Sequence, residues 1–303
     1  MKTNLIKNGV AIEACDVNIS KMSSNDYNTI KNLLHKHLVV VIKNQTSNPW
    51  EYTRFIENIG NIANYNQFQF TTDGGEFNLD QVVSTDKWLD KKEKYPVQRV
   101  TGKKIKGQRT GIFGTGILDW HANLNGLDRA DGVALQGWKD CKNTSTSFLN
   151  TNLAYLDLTE DLKEKIKNVY CEYEYSPEIW AKGLPESQLQ YMKGRASKYK
   201  MWLVQENIAG TKGIYFYTNN KCKIITEDTQ LYDRLYNHTF QEKYIYQHWW
   251  NSGDIILMDQ ILTLHKRDQN DLEILKKRIL HRITFTISNN NGWLQSKNQI
   301  DTQ

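Results

Sequence analysis

Apolar positions recur at helical spacing twice in the first part of the chain, with a continuous apolar run between the two patterns. In SSNDYNTIKNLLHKH, Tyr27, Ile30, Leu33 and Leu34 fall on one side of a helix that Ser24 or Asn25 can cap. The run LVVVI at 38–42 is apolar throughout and short, as expected of a strand covered on both faces. In SNPWEYTRFIENIG, Asn48 can cap and Pro49 suits the first helical position, while Trp50, Phe55, Ile56 and Ile59 form an apolar side before Gly60 ends the element. The chain therefore opens helix, buried strand, helix.

From about 62 to 150 the pattern changes to short apolar stretches separated by Gly, Asn and Asp, including VALQGW at 133–138, which predicts β structure. TEDLKEKIKNVY, starting at Thr159, is a charged amphipathic helix with Leu162, Ile166 and Val169 on one side. The region 176–212 is rich in polar, glycine and aromatic residues without clean periodicity, and an irregular segment of that length reads as a lid or insert. KYIYQHWW, GDIILMD and ILHRITFTI return to strands. With no internal repeat or composition break, these elements predict one domain over residues 1–303, mainly β with flanking helices, arranged as a sandwich or barrel.

Composition narrows the class. With 303 residues, 39% of them hydrophobic, and only 4 prolines, the chain reads as an ordinary folded globule. The only apolar stretch near the N-terminus is GVAI at 9–12, and no run approaches the roughly 20 residues a spanning helix needs. The expectation is a cytoplasmic protein with no membrane partner. Cys15, Cys141, Cys171 and Cys222 are scattered without CxxC spacing, so free thiols are expected rather than a zinc knuckle or disulfide framework. The net charge of +5 is small, and the one dense basic cluster, GKKIKGQR at 102–109, reads as a solvated loop. A nucleic-acid partner is not expected.

Candidate chemistry lies in three places. His121 sits in GILDWHANLNG, and on an extended strand His121 and Asn123 share a face, as does Asp119, with Trp120 and Ala122 turned away. His265, in GDIILMDQILTLH, would have to be brought in by the fold from 144 residues further along. Taken singly, a histidine of this kind is more often a hydrogen-bonded structural residue than a ligand. In RILHRIT, Arg278 and Arg282 lie four apart and so on one face of a strand that alternates toward a core. Inward arginines need anionic partners, either acidic side chains or a carboxylate ligand held by the guanidinium fork.

These pieces, in order, resemble the taurine dioxygenase-like branch of the Fe(II)/2-oxoglutarate oxygenases. LVVVIKNQ with the helix ending FIENIG resembles the family's opening strand and helix. DWHAN resembles its proximal ligand strand and TSTSFLNTNLAYLDL the stretch after it. GDIILMDQILTLH resembles the strand and turn carrying the distal histidine, and RILHRIT the closing strand.

The resemblance implies a double-stranded β-helix core, the cupin-like jelly roll, with iron(II), 2-oxoglutarate and O2 as cofactor and cosubstrates and a small molecule as substrate. It makes His121 and His265 iron ligands and puts Asn123 where the family has its carboxylate. It assigns Arg278 to the distal carboxylate of 2-oxoglutarate, with Thr146 assisting, and Arg282 to an anionic group of the substrate. Tyr65 and Phe68 fall on the early loop lining the substrate pocket.

A 2-His-1-carboxylate set leaves iron positions open for the keto acid and oxygen. The family reaction releases succinate and CO2 and oxidises an unactivated C–H bond, by hydroxylation, desaturation or oxidative ring closure. Asn123 departs from the pattern: a neutral amide holds a metal less tightly than a carboxylate. That departure leaves a radical halogenase or a non-catalytic binding relative as the alternative, and leaves Asp119 as a carboxylate that could substitute. Arg282, with the basic residues at 103–109, suits a small acid or amino-acid derivative.

Overall fold

A computed structural model describes residues 1–62, 97–105, 108–109, 111, 113–115, 118–122, 130–175, 197–218, 222–287 and 299–300. Tyr65, Phe68 and Asn123, together with 176–196 of the expected lid, lie outside the described residues.

The first helix, α1, runs Ser24–His37. Its cap is Ser23, one residue before the expected pair, because Asp26 three positions on completes a reciprocal capping box that neither Ser24 nor Asn25 could form. The second, α2, is Pro49–Ile59, with Asn48 and Glu51 as its box and proline at the start. It buries Tyr52, Phe55, Ile56 and Ile59. Trp50, expected on that apolar side, is instead exposed with the Arg54 guanidinium 4.8 Å from its ring. Two positions before Tyr52 is about 200° around a helix, on the solvent side.

Two layers form the centre, antiparallel except where Ala11–Cys15 and Val39–Ile42 pair in parallel. The larger sheet runs in the order Lys2–Ile6, Ala11–Cys15, Val39–Ile42, Ile255–Asp259, Gly132–Lys139, Ile279–Thr286 and Asn61–Ile62, and Gln98–Val100 also pairs with Ile279–Thr286. The smaller sheet runs Ile245–Trp249, Ser145–Asn150, Thr263–Arg267 and Leu118–His121.

Strand alternation divides the larger sheet cleanly. Val40, Ile42, Ala134, Leu257, Ile283 and Phe285 pack with Ile30, Leu34 and Phe55 of α1 and α2. Val39, Val41, Val133, Leu135, Ile256, Met258 and Leu280 pack with Phe148 of the smaller sheet and with Trp250, which follows its Ile245–Trp249 strand. Cover on both faces is why VVVI is apolar throughout and IILMD at every position but the last. The facing layers make the β-sandwich core, with the expected double-stranded β-helix arrangement.

A third sheet, Cys222–Ile225, Tyr170–Tyr175, Ser197–Trp202 and Gln299–Ile300, adds its apolar side to a cluster with Trp120, Ala122, Leu149 and Leu264 of the smaller sheet. From Ser197 onward, therefore, much of the region expected to be irregular is strand, at Ser197–Trp202, Val204–Glu206 and from Lys212. Tyr199 and Met201 are buried there, while Lys198 and Lys200 meet Glu174 and Glu172 on the neighbouring strand. The four cysteines are free thiols, and no described helix is long and apolar enough to cross a membrane.

Phe285 is fully buried between the larger sheet and the helices, with Gly132 so close that a Cβ there would approach its ring to 2.6 Å. Phe285→Ala is expected to cost about 3–5 kcal/mol of stability, read as a lower urea midpoint with an unchanged slope.

Candidate active site

Antiparallel pairing of Leu118–His121 with Thr263–Arg267 sets His121 directly opposite His265. The ring centroids are 4.3 Å apart with the planes at 45°. One ladder position thus closes a long sequence separation. Between His265↔His121 and Arg267↔Leu118 the register shifts, three steps on one strand against two on the other. This bulge turns both Leu118 and His121 into the space between the sheets. Asp119, expected on the His121 face, is exposed instead, and its carboxylate accepts from the Trp120 N–H at 2.8 Å. Trp120 and Ala122 do turn away, into the cluster behind the smaller sheet.

The two imidazoles are prepared differently. His121 Nδ1 lies 2.6 Å from the Asp119 carbonyl oxygen. A carbonyl only accepts, so Nδ1 carries the proton and Nε2 presents its lone pair, the usual outer-partner arrangement of a metal-binding histidine. His265 is buried against Phe148, its partner in register. Burial, then the neighbouring His121 and Arg282, hold it well below the ordinary imidazole range, hence neutral as a ligand must be.

The turn leading to His265 is fastened by Asp259, whose carboxylate accepts from the Ile261 and Leu262 N–H groups at 2.7 and 3.0 Å and from Asn207 Nδ2 at 3.1 Å. Burial pushes that carboxyl up to about 7 against these donors.

The same cavity is walled by Thr146, Arg267, Arg278 and Arg282, with Val100, Phe113, Val133, Leu135 and Leu280 supplying the apolar surface. Arg278 and Arg282 both line the cavity, Arg282 from the Ile279–Thr286 strand and Arg278 from the residue just before it. Thr146 Oγ1 accepts from Trp250 Nε1 at 2.9 Å, which leaves its own proton to donate. Arg282 donates to Gln98 Oε1 and lies 5.8 Å from the Phe113 ring centroid.

Arg267 was not singled out in the sequence. It faces Thr146 across the ladder and donates to the carbonyl oxygens of Phe113 and Gly114, the latter at 2.7 Å. Its signal was available, since it lies two residues after His265 on the same strand and so on the same face.

Arg278 is the most demanding group in this wall. It is fully buried, and its Nε and Nη1 have no hydrogen-bond partner, nor does Arg267 Nη2. Burial, followed by the Arg267 charge, lowers Arg278 to about 10, with Cys141 opposing. No Asp or Glu is among the described residues that line the cavity. Buried cations without acids call for an anion, and a planar guanidinium fork suits a carboxylate. The donor set therefore fits both a divalent metal on the two histidines and a dicarboxylate beside it. Among the described residues no third His, Cys, Asp or Glu joins the histidines.

The family model for the taurine catabolism dioxygenase TauD, TfdA family matches residues 3–284. The alpha-ketoglutarate-dependent 2,4-dichlorophenoxyacetate dioxygenase of Burkholderia sp. (strain RASC) is 20% identical over 271 residues, 87% of this chain and 86% of that protein. Among solved structures, AAD-2 in complex with Mn(II) and N-oxalylglycine superposes with a TM-score of 0.70 at 18% identity, covering 94% of this chain and 97% of that one. A taurine dioxygenase from Burkholderia xenovorans gives 0.69 at 14% identity, covering 99% and 96%. With the family pattern matched along nearly the whole chain, the protein belongs to the TauD/TfdA family of 2-oxoglutarate-dependent dioxygenases.

Proposed function

We propose that this chain, as a cytoplasmic enzyme, uses iron(II), 2-oxoglutarate and O2 to oxidise an unactivated C–H bond of a small carboxylate-bearing or amino-acid-derived substrate. The outcome is hydroxylation, desaturation or oxidative ring closure, with release of succinate and CO2. The observation that carries the reading is the convergence, in one cavity with no acid among its described lining residues, of a histidine pair and a buried Arg278 whose Nε and Nη1 lack partners.

In this reading His121, Asn123 and His265 hold the metal. Bound iron and cosubstrate supply the oxidising chemistry, while the protein supplies placement and exclusion of water. The Asp119 contact puts the His121 proton on Nδ1, and Asp259 fixes the turn that aims His265. Arg278 would hold the distal carboxylate, Thr146 would add its hydroxyl proton, and Arg267 would add positive charge from across the ladder.

Arg282 would anchor an anionic group of the substrate. Tyr65 and Phe68 would line the pocket from the early loop, and 176–196 would belong to the lid. A carboxylate-bearing substrate is supported by the relative named for 2,4-dichlorophenoxyacetate. The oxygenase names of the relatives favour oxidation over a halogenating or binding-only role.

Anaerobic titration with Fe(II) and 2-oxoglutarate is expected to develop the metal-to-ligand charge-transfer absorption; its absence at saturation overturns the reading. Arg278→Ala is expected to weaken 2-oxoglutarate binding by about 100-fold in that titration, because it removes one partner of a buried charged pair. Arg282→Ala should leave this binding unchanged while raising KM for a carboxylate substrate by about tenfold or more. Unchanged KM would remove Arg282 as the anchor. Asn123→Asp adds a ligand charge and is expected to tighten Fe(II) binding by about tenfold or more, measured by competition with a chelator.

A further inference from the structure

A second cleft, of about 530 Å³, opens beside the cavity. Lys103, Lys104, Lys276 and Lys277 line it, all exposed, and Asp140 is the acid among its described lining residues. Glu273 lies outside that lining and engages Lys276. The lysines come from two places distant in sequence, the basic run after Gln98–Val100 and the pair that precedes Arg278.

The wall between cleft and cavity is thin in chain terms. Val100 faces the cavity and Gly102 the cleft; Phe113 faces the cavity and Thr115 the cleft; Arg278 faces the cavity and Lys277 the cleft. The Gly102 N–H donates to the Leu275 carbonyl at 3.1 Å, tying the first of these segments to the third. Arg267 ties the second to the cavity wall through Phe113 and Gly114. The cleft lysines and the buried cavity arginines are therefore linked through the same three short segments, with the lysines on the exposed side. Four lysines against Asp140 leave the cleft with a clear excess of positive charge, and a cleft dominated by one sign raises the local concentration and association rate of an oppositely charged ligand by about 10- to 1000-fold. Its volume lies in the range of small-ligand sites.

We propose that this lysine cleft is the collecting site for 2-oxoglutarate: it draws in the small dianion and sets its association rate, while Arg278 sets how long it stays. The proposal rests on the reading that the inner cavity binds 2-oxoglutarate.

The test is stopped-flow mixing of the anaerobic Fe(II) protein with 2-oxoglutarate, following the charge-transfer absorption. For the wild-type protein the association rate is expected to fall steeply between about 0.01 M and 0.15 M salt, as the Debye length shortens from about 30 Å to about 8 Å. Lys104→Glu/Lys277→Glu should lower the low-salt rate by about tenfold and flatten the salt dependence, with the dissociation rate unchanged. Lys21→Glu/Lys36→Glu, an equal change of charge on exposed positions about α1, should behave as wild type. A wild-type rate and salt slope in the cleft variant, or an equal drop in the α1 variant, overturns the collecting role while leaving 2-oxoglutarate binding intact. An absorption that never develops in wild-type protein overturns the underlying reading too.

Discussion

Arg278 and Arg267 lie close enough beneath the surface for each charge to weigh on the other, with no acid among the described cavity-lining residues to balance them. An ion taken out of water costs several kcal/mol even after relaxation, so such a wall exists only where the surrounding structure holds it in place. The alternation of the Ile279–Thr286 strand does this for the residues around Arg278. Leu280 and Arg282 face the cavity, while Ile283 and Phe285 are locked among the helices on the other side. A shift of one residue would exchange those sets, so the apolar contacts of one face fix the charged groups of the other. The same cost makes the empty protein less stable than the protein with an anion bound, because anything that binds only the folded state adds to its stability.

The histidines depend on a second constraint. In the smaller sheet, Ser145–Asn150 is central and carries Thr146 and Phe148, which lie opposite Arg267 and His265 respectively. On its other side Thr146 pairs with His248, whose Nε2 lies 3.2 Å from the buried Asp254 carboxylate and whose Nδ1 meets Tyr246 Oη. Burial works against the Asp254 charge, but His248 and the backbone N–H groups of Asn251 and Asn44 outweigh it and keep that carboxyl below its usual range. Thr146 and Trp250 are thus backed by the buried group of His248, Asp254 and Tyr246, none of which is among the described residues lining the cavity. Ring, hydroxyl and guanidinium reach one space because three neighbouring strands hold a common register.

Much of this was legible in the chain. The spacing of Arg278 and Arg282 placed both toward one space, and the alternation around His121 gave its separation from Trp120 and Ala122. The unbroken apolar runs gave strands covered on both sides. What escaped was set by single-residue events that periodicity does not encode. The bulge before His121 sends Asp119 to solvent although strict alternation places it inward. The α1 cap moved to Ser23 because the deciding group, Asp26, acts three residues away. Ser197–Trp202 hid its alternation of lysines with Tyr199, Met201 and other residues inside a stretch whose overall composition looked irregular. Arg267 was missed for another reason: a cation donating to two carbonyl oxygens has no acidic partner in the sequence to signal that it is buried.

The charges of the site bear on how its parts depend on one another. In the proposed ligand set His121 presents a neutral lone pair, His265 is kept neutral by burial and its neighbours, and Asn123 would bring an uncharged amide. With that ligand set, a divalent metal would retain its full charge beside three arginines, so each cation raises the cost of the next. A dianion placed between metal and guanidinium groups lowers both costs at once. Metal and 2-oxoglutarate should therefore bind with positive coupling, each raising the affinity of the other by the same factor, as linkage requires. A carboxylate at position 123 would neutralise part of that charge in advance and so weaken the coupling even as it strengthened metal binding alone. In that proposed site the neutral residue would shift metal retention from the protein toward the cosubstrate, and the cavity's positive wall would be as much a part of the metal site as the histidines.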